Sequence, residues 1–223
     1  MSRFGPGAGD PSDGVQVRDA SEGDLPAVAA VHVKAFPGSV LGGLGLDAVA
    51  RNYRYQLNGP HDLTALVAMD GDEVIGFLFG GLFRGSTIGF VKDERWFLAR
   101  RVARHPEILL RGVGWNRITL GVRLLARRSS QAAPEAPDAV PRRSFGVLAI
   151  AVDPSVQGRG VGGLLMAEAT SRARAQGNLS MHLTVHPTNT SAVAFYRMLG
   201  WVPLDEPDGA WAGQMTIPID AGA

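Results

Sequence analysis

The stretch Gln157-Gly158-Arg159-Gly160-Val161-Gly162-Gly163 stands between a continuous apolar run, Ser144–Asp153, and a helical pattern over Leu164–Ala175. A buried strand, a glycine loop and a helix start in that order leave several backbone N–H groups unpaired and turn the positive end of the helix dipole toward the loop. A phosphate or pyrophosphate is the natural ligand of such an arrangement. Glycine is needed there wherever a side chain would block the anion or φ turns positive, and Arg159 adds a charge at the rim. Two further groups carry chemistry. Tyr196 lies in a helical pattern, Thr190–Leu199, that begins after Asn189, and His182, Thr184 and His186 fall on one face of an alternating strand pattern, Leu179–His186.

The loop alone admits several readings. A P-loop requires G-x-x-x-x-G-K-[ST], and no lysine lies near. The dinucleotide pattern G-x-G-x-x-G is present as Gly158, Gly160 and Gly163, but the residues Asp153 to Gln157 separate strand from glycine, and the next strand ends at His186 with no acidic residue for a ribose. An ordinary strand-to-helix turn would use the same glycines.

Two ordered motifs narrow the choice. Val152-x-Pro154-x-x-Gln157-x-x-Gly160-x-Gly162 resembles the Q/R-x-x-G-x-G/A loop of the GNAT N-acetyltransferase family, and Asn189-x-x-Ala192-x-x-Phe195-Tyr196-x-x-x-Gly200-Trp201 resembles its N-x-x-A-x-x-F-Y-x-x-x-G-F signature, with Trp in place of the last Phe. The resemblance is close over 144–204, and the 15–82 segment agrees with the family's opening order of strand, two helices and hairpin. It implies an α/β fold, a mixed central sheet of about seven strands flanked by helices, here with a helical insertion between the third and fourth strands.

The same resemblance implies acetyl-CoA as cosubstrate and direct transfer of its acetyl group, in a ternary complex, to a primary amine of a small molecule. The loop residues Gln157, Gly158, Arg159, Gly160, Val161 and Gly162 would hold the pyrophosphate, and main-chain groups of Ile150, Ala151 and Val152 would bind the pantetheine and polarise the thioester carbonyl. Asn189 would hold the pantetheine arm, and Tyr196 would stand near the sulfur as general acid. A phenol, with a reference pKa of about 10, is protonated at neutral pH and can donate. Read by pattern alone, Tyr196 is a core tyrosine of an amphipathic helix. The general base stays open among His182, His186, Asp153 and a water chain. His32, within an apolar helix, reads as structural, and Asp153 before Pro154 reads as a turn residue. Tyr53, Tyr55 and the glycine-rich 42–45 stretch would lie near the acceptor pocket, where packing explains the tyrosines equally well.

The elements that must position these groups follow from periodicity. Val15–Asp19 alternates as a strand, Ser21 and Asp24 make a capping pattern for a helix stopped at Pro37-Gly38, and a second helix runs from about Asp47 to Leu57. Thr64–Met69 and Glu73–Leu82 form a hairpin about Asp70-Gly71-Asp72. Amphipathic helices are expected at Glu94–Leu110 and Gly114–Arg128, then a Pro/Ala-rich linker at 129–143. Short strands at Trp201–Leu204 and Gln214–Ile219 close the chain. Residues 1–14 read as a tail and 15–223 as a single domain carrying an inserted segment at 84–143.

Composition excludes whole classes. The 223 residues contain no cysteine, which removes disulfides, thiolate nucleophiles and cysteine-based zinc sites, and no metal is expected. The first fourteen residues lack an apolar signal core and no run reaches the roughly 18 apolar residues of a membrane span, so the expected location is cytoplasmic, with a peripheral membrane association open. The net charge of +1 hides an asymmetry: residues 84–128 hold eleven basic and three acidic groups, a local +8 against −7 elsewhere. That segment could meet an anionic membrane surface, a second copy of the chain or an anionic acceptor; it has no nucleic-acid reading module. The combined layout resembles family members of sugar and polysaccharide biosynthesis, which makes a free, nucleotide-linked or lipid-linked amino sugar the expected acceptor. The rival readings are a non-catalytic acyl-CoA-binding or membrane-surface protein on the same fold, and an acyltransferase with a longer acyl-CoA, for which Ala149 and Ala151 leave room.

Overall fold

The computed structural model describes residues 14–59, 62–82, 86–104, 144–204 and 211–219. In chain order the elements are β1 (Val15–Asp19), α1 (Leu25–Ala35), α2 (Val40–Gly43), α3 (Leu46–Asn58), β2 (Asp62–Asp70) and β3 (Glu73–Leu82). Then come α4 (Ser86–Asp93), α5 (Arg95–Arg104), β4 (Ser144–Val152), α6 (Val161–Ala175), β5 (Ser180–Thr184), α7 (Thr190–Met198), β6 (Val202–Pro203) and β7 (Gln214–Pro218). The strands form one mixed seven-stranded sheet in the order β1-β2-β3-β4-β5-β7-β6, with β4 and β5 parallel and the other pairs antiparallel.

Helices cover both faces, so the central strands read as continuous apolar runs rather than as alternation. On one face α6 buries Val161, Leu165, Met166, Ala169 and Ala173 against Leu66, Ala68, Leu78 and Phe145. On the other, α1 and α3 bury Leu25, Val28, Ala29, Val49 and Tyr53 against Ala65, Val67, Phe77 and Phe79. The entry to α1 is fixed by its sequence: the Ser21 backbone N–H and hydroxyl each donate to Asp24 Oδ2 at 2.8 Å, and Arg18 forks onto both carboxylate oxygens at 2.7 and 2.8 Å. This Arg18 hydrogen bonding holds the Asp24 carboxyl well below the usual carboxylate range. Gly71, at φ 57°, makes the β2–β3 turn where Asp-Gly was expected.

Two expectations change. The helix after the glycine loop starts at Val161, not Leu164, because Gly160 itself, at φ 79°, is the N-cap and the next two glycines already lie in the first turn. The basic segment opens with two short helices, α4 and α5, instead of one beginning at Glu94; Arg95 starts the second after a turn residue, Glu94, whose N–H donates to Phe90 O. All but the last residue of the expected 1–14 tail, the helix Gly114–Arg128 and the linker 129–143 lie outside the described residues.

Candidate active site

The sheet is divided at its parallel pair. Strand β4 pairs with β5 only over Ser144–Val147 and Ser180–Leu183, whereas its pairing with β3 continues to Val152. Beyond Val147 the β5-facing side of β4 is open, and main-chain groups of Ile150, Ala151 and Val152 border the gap. A groove of about 590 Å³ follows it, bounded by these residues, the glycine loop and α7.

The loop is shaped by its own side chains. Asp153 Oδ1 accepts from the Ser155 backbone N–H at 3.0 Å and from its hydroxyl at 2.7 Å, and Asp153 Oδ2 is 2.7 Å from Lys34 Nζ. The Lys34 hydrogen bond, helped by Ser155, lowers the Asp153 pKa to about 2. Gln157 Nε2 donates back to Val152 O at 3.1 Å and closes the turn. Gly158 and Gly160 take positive φ, and a Cβ at Gly158, Gly160 or Gly163 would meet nothing within 4 Å. All three line the groove. No side chain caps α6, so its first N–H groups and the positive dipole end are available to an anion.

Helix α7 supplies the opposite wall. Asn189 Oδ1 accepts from Ala192 N at 3.2 Å as the N-cap, which leaves its amide N–H donors for another partner. A Cβ on Gly162 would stand 3.2 Å from the Phe195 ring, so glycine sets how closely α6 and α7 approach. Tyr196 lines the groove at 8% exposure, packed near Phe195 and Trp201. Burial pushes its pKa up to about 12, and the phenol holds its proton across the neutral range.

The structure brings Ile150, Ala151, Val152, Gln157, Gly158, Gly160, Val161, Gly162, Asn189 and Tyr196 together around this groove. Arg159 is not among its lining residues; its guanidinium is 3.4 Å from Asp70. Asp70 borders a more open groove of about 610 Å³ that also presents Asp24, Asp72, Glu73 and Asp153, with Lys34 as its cation. That acidic surface repels a pyrophosphate, whereas the α6 terminus attracts one. Ala35 and Phe36, at the end of α1, also line the cofactor-sized groove. No sequence signal marks them, since only the fold carries α1 to the far side of the gap.

The remaining candidates separate. His32 is buried, with Nδ1 2.9 Å from the Tyr53 hydroxyl and Nε2 3.4 Å from Ser39 Oγ, and burial lowers its pKa to about 4. Ser39 caps α2, so the 42–45 stretch is anchored to this cluster. Tyr55 packs against Phe90 of α4. His186 is exposed and serves its turn, with Nδ1 2.8 Å from Thr188 Oγ1. His182 is half-buried beside Ser144 at 2.8 Å, and burial lowers its pKa. Among the described residues no group of His, Asp and Glu is placed to hold a metal ion, and no helix is long and apolar enough to cross a membrane.

Solved structures of acetyltransferases share this architecture. The ribosomal-protein-S18-alanine N-acetyltransferase of Escherichia coli is 17% identical, with 94% of this chain and 96% of that one covered at a TM-score of 0.52. PaiA N-acetyltransferase of Thermoplasma acidophilum, solved in complex with coenzyme A, is 15% identical over 92% and 98% at 0.53. YncA of Salmonella typhimurium, solved with its cofactor acetyl-CoA, is 16% identical over 94% and 96% at 0.54. No functionally curated protein matches the sequence. The family model described as "Acetyltransferase (GNAT) family" matches residues 41–201, a span that holds the divergent strands, the glycine loop and the Tyr196 helix, and the chain belongs to that family.

Proposed function

We propose that the protein transfers the acetyl group of acetyl-CoA directly to a primary amine of a small molecule, an amino sugar or a nucleotide- or lipid-linked amino sugar being the expected acceptor. The observation that carries this reading is the groove lined by the uncapped α6 N-terminus, by Ile150, Ala151 and Val152 of β4 and by Tyr196 of α7. Its two ends suit the two ends of the cosubstrate. Unpaired N–H groups of the loop bind pyrophosphate oxygens, and the β4 edge offers main-chain donors and acceptors to an extended amide arm.

The chain's own groups then divide the work. A backbone N–H of the 150–152 segment polarises the thioester carbonyl, where charge develops as the amine adds. Tyr196 donates a hydrogen bond to the sulfur as it becomes a thiolate. No protein nucleophile is needed, consistent with a chain that has no cysteine. The test is a coenzyme A release assay over glucosamine, a nucleotide-linked amino sugar, spermidine, an aminoglycoside and a peptide with N-terminal alanine. Turnover of an amino sugar alone is the expected result. Turnover confined to the peptide or polyamine would replace the acceptor class.

One observation favours a second role beside catalysis. Helix α5 exposes Arg95, Arg100 and Arg104, and its Trp96 is 74% exposed, a pairing of cationic and interfacial side chains suited to an anionic lipid surface, while Arg101 instead donates to Leu44 O at 2.7 Å.

A further inference from the structure

Strand β5 directs Met181 and Leu183 into the core beneath α6, so Ser180, His182 and Thr184 occupy the opposite face. The register places Ser180 beside Ser144 of β4, and His182 between Gly146 of β4 and Thr216 of β7. A polar row of Ser144, Ser180, His182 and Thr216 thus ends where β4 and β5 part, on the sheet face away from the glycine loop. An amine that meets a thioester lying in that gap from the free side arrives over this row. The inference rests on the acetyl-transfer reading above.

The surroundings of His182 leave one ring nitrogen for a ligand. His182 Nδ1 is 2.8 Å from Ser144 Oγ, and a Cβ on Gly146 would lie 3.1 Å from Nε2, so the ring sits over bare backbone with one nitrogen engaged. Among the described residues Nε2 has no hydrogen-bond partner. Ser180 beside it is buried with its hydroxyl sealed from solvent, so within the row His182 is the group that can meet an amine. The Thr216 hydroxyl already donates to Met181 O at 2.9 Å.

We propose that His182 is the proton acceptor of the reaction, held by Ser144 through Nδ1, with Nε2 facing the incoming amine. The amine arrives as an ammonium and gives one proton to Nε2. Its lone pair then forms the C–N bond while the C–S bond breaks. The second nitrogen proton replaces the one that Tyr196 delivers to the thiolate, and the His182 proton goes to solvent. One amide, one free thiol and one proton are the products. The described groups facing His182 from β4 and β7, namely Ser144, Gly146 and Thr216, are all uncharged, and burial alone displaces its titration.

The experiment compares wild type with His182→Ala and Ser144→Ala, using calorimetry with acetyl-CoA and kcat/KM against pH with the fastest amine of the panel named above. His182→Ala is expected to bind acetyl-CoA as wild type does and to lose about 100-fold in kcat/KM at neutral pH. The deficit should close about tenfold per pH unit as the free amine becomes abundant. Ser144→Ala, which removes only the hydroxyl partner, should show a smaller loss with the same pH trend. Parallel pH profiles for His182→Ala and wild type would overturn the assignment. So would a wild type that binds acetyl-CoA yet acetylates none of the amines, while failure of the wild type to bind acetyl-CoA would overturn the underlying function instead.

Discussion

Lys34 Nζ and Asp153 Oδ2 lie 2.7 Å apart, tying the end of α1 to the first residue after β4. The same carboxylate orders the turn through Ser155, so one side chain links α1 to the turn that leads into the glycine loop.

Asp153→Asn should therefore weaken acetyl-CoA binding several-fold, with little change in melting temperature, because the substitution loosens the loop rather than the core. Lys34→Ala should weaken binding less, since Ser155 still holds Asp153. Calorimetric titration of both variants checks the order, and an Asp153→Asn variant with wild-type affinity would show that the turn forms without the carboxylate.

Tyr196→Phe keeps the ring packed against Phe195 and Trp201 while removing the hydroxyl. The expected result is a loss in kcat of about 100-fold with acetyl-CoA affinity within about twofold of wild type. Because burial raises this phenol to about 12, the wild-type activity should show no alkaline loss attributable to Tyr196 below pH 10. Unchanged kcat in the phenylalanine variant would remove Tyr196 from the chemistry.

His32 predicts an acid-stability profile. Its folded pKa of about 4 lies below the unfolded value of about 6.5, so the folded state favours the neutral ring. Stability is retained above pH 6.5 and falls as pH drops toward 4, by about 3 kcal/mol over that window. Asp24 and Asp153 are held too low to titrate there. Denaturant unfolding of wild type and His32→Gln at a series of pH values should show a shallower acid slope in the variant. Equal slopes would contradict burial of a neutral imidazole.

Much of the site was readable because its residues are set by backbone needs. Gly158 and Gly160 had to be glycine for positive φ, Gly162 for the approach of Phe195, and Asn189 for capping α7. Side-chain destinations were less readable. Arg159 stands in the loop yet pairs with Asp70, a residue far along the chain on the β2–β3 turn. Ala35 and Phe36 reach the groove only through the packing of α1 across the sheet. The Ser144–His182 contact depends on the register of β4 with β5, which no local pattern fixes. The start of α6 was misplaced by three residues because glycines in a first turn look like loop to a periodicity argument, although unpaired N–H groups cost little where water or a ligand can reach them.

The lipid-surface role of α5 is tested by co-sedimentation with vesicles containing anionic lipid. Wild type is expected to sediment at low ionic strength and to be released by salt, with Trp96→Ala reducing the bound fraction. Equal recovery from neutral and anionic vesicles would exclude this role. Arg51, stacked 4.4 Å over Phe97 and 3.2 Å from Glu94, anchors the helix to α3 and should be left unchanged in such variants.

The most direct measurement is calorimetric titration of acetyl-CoA into wild type and into Gly160→Glu, which places a carboxylate and a strained positive φ at the α6 N-terminus. Saturable binding by wild type and none by the variant is the predicted result. Absence of wild-type binding, or equal affinity in the two proteins, would contradict the assignment of this groove to the cosubstrate.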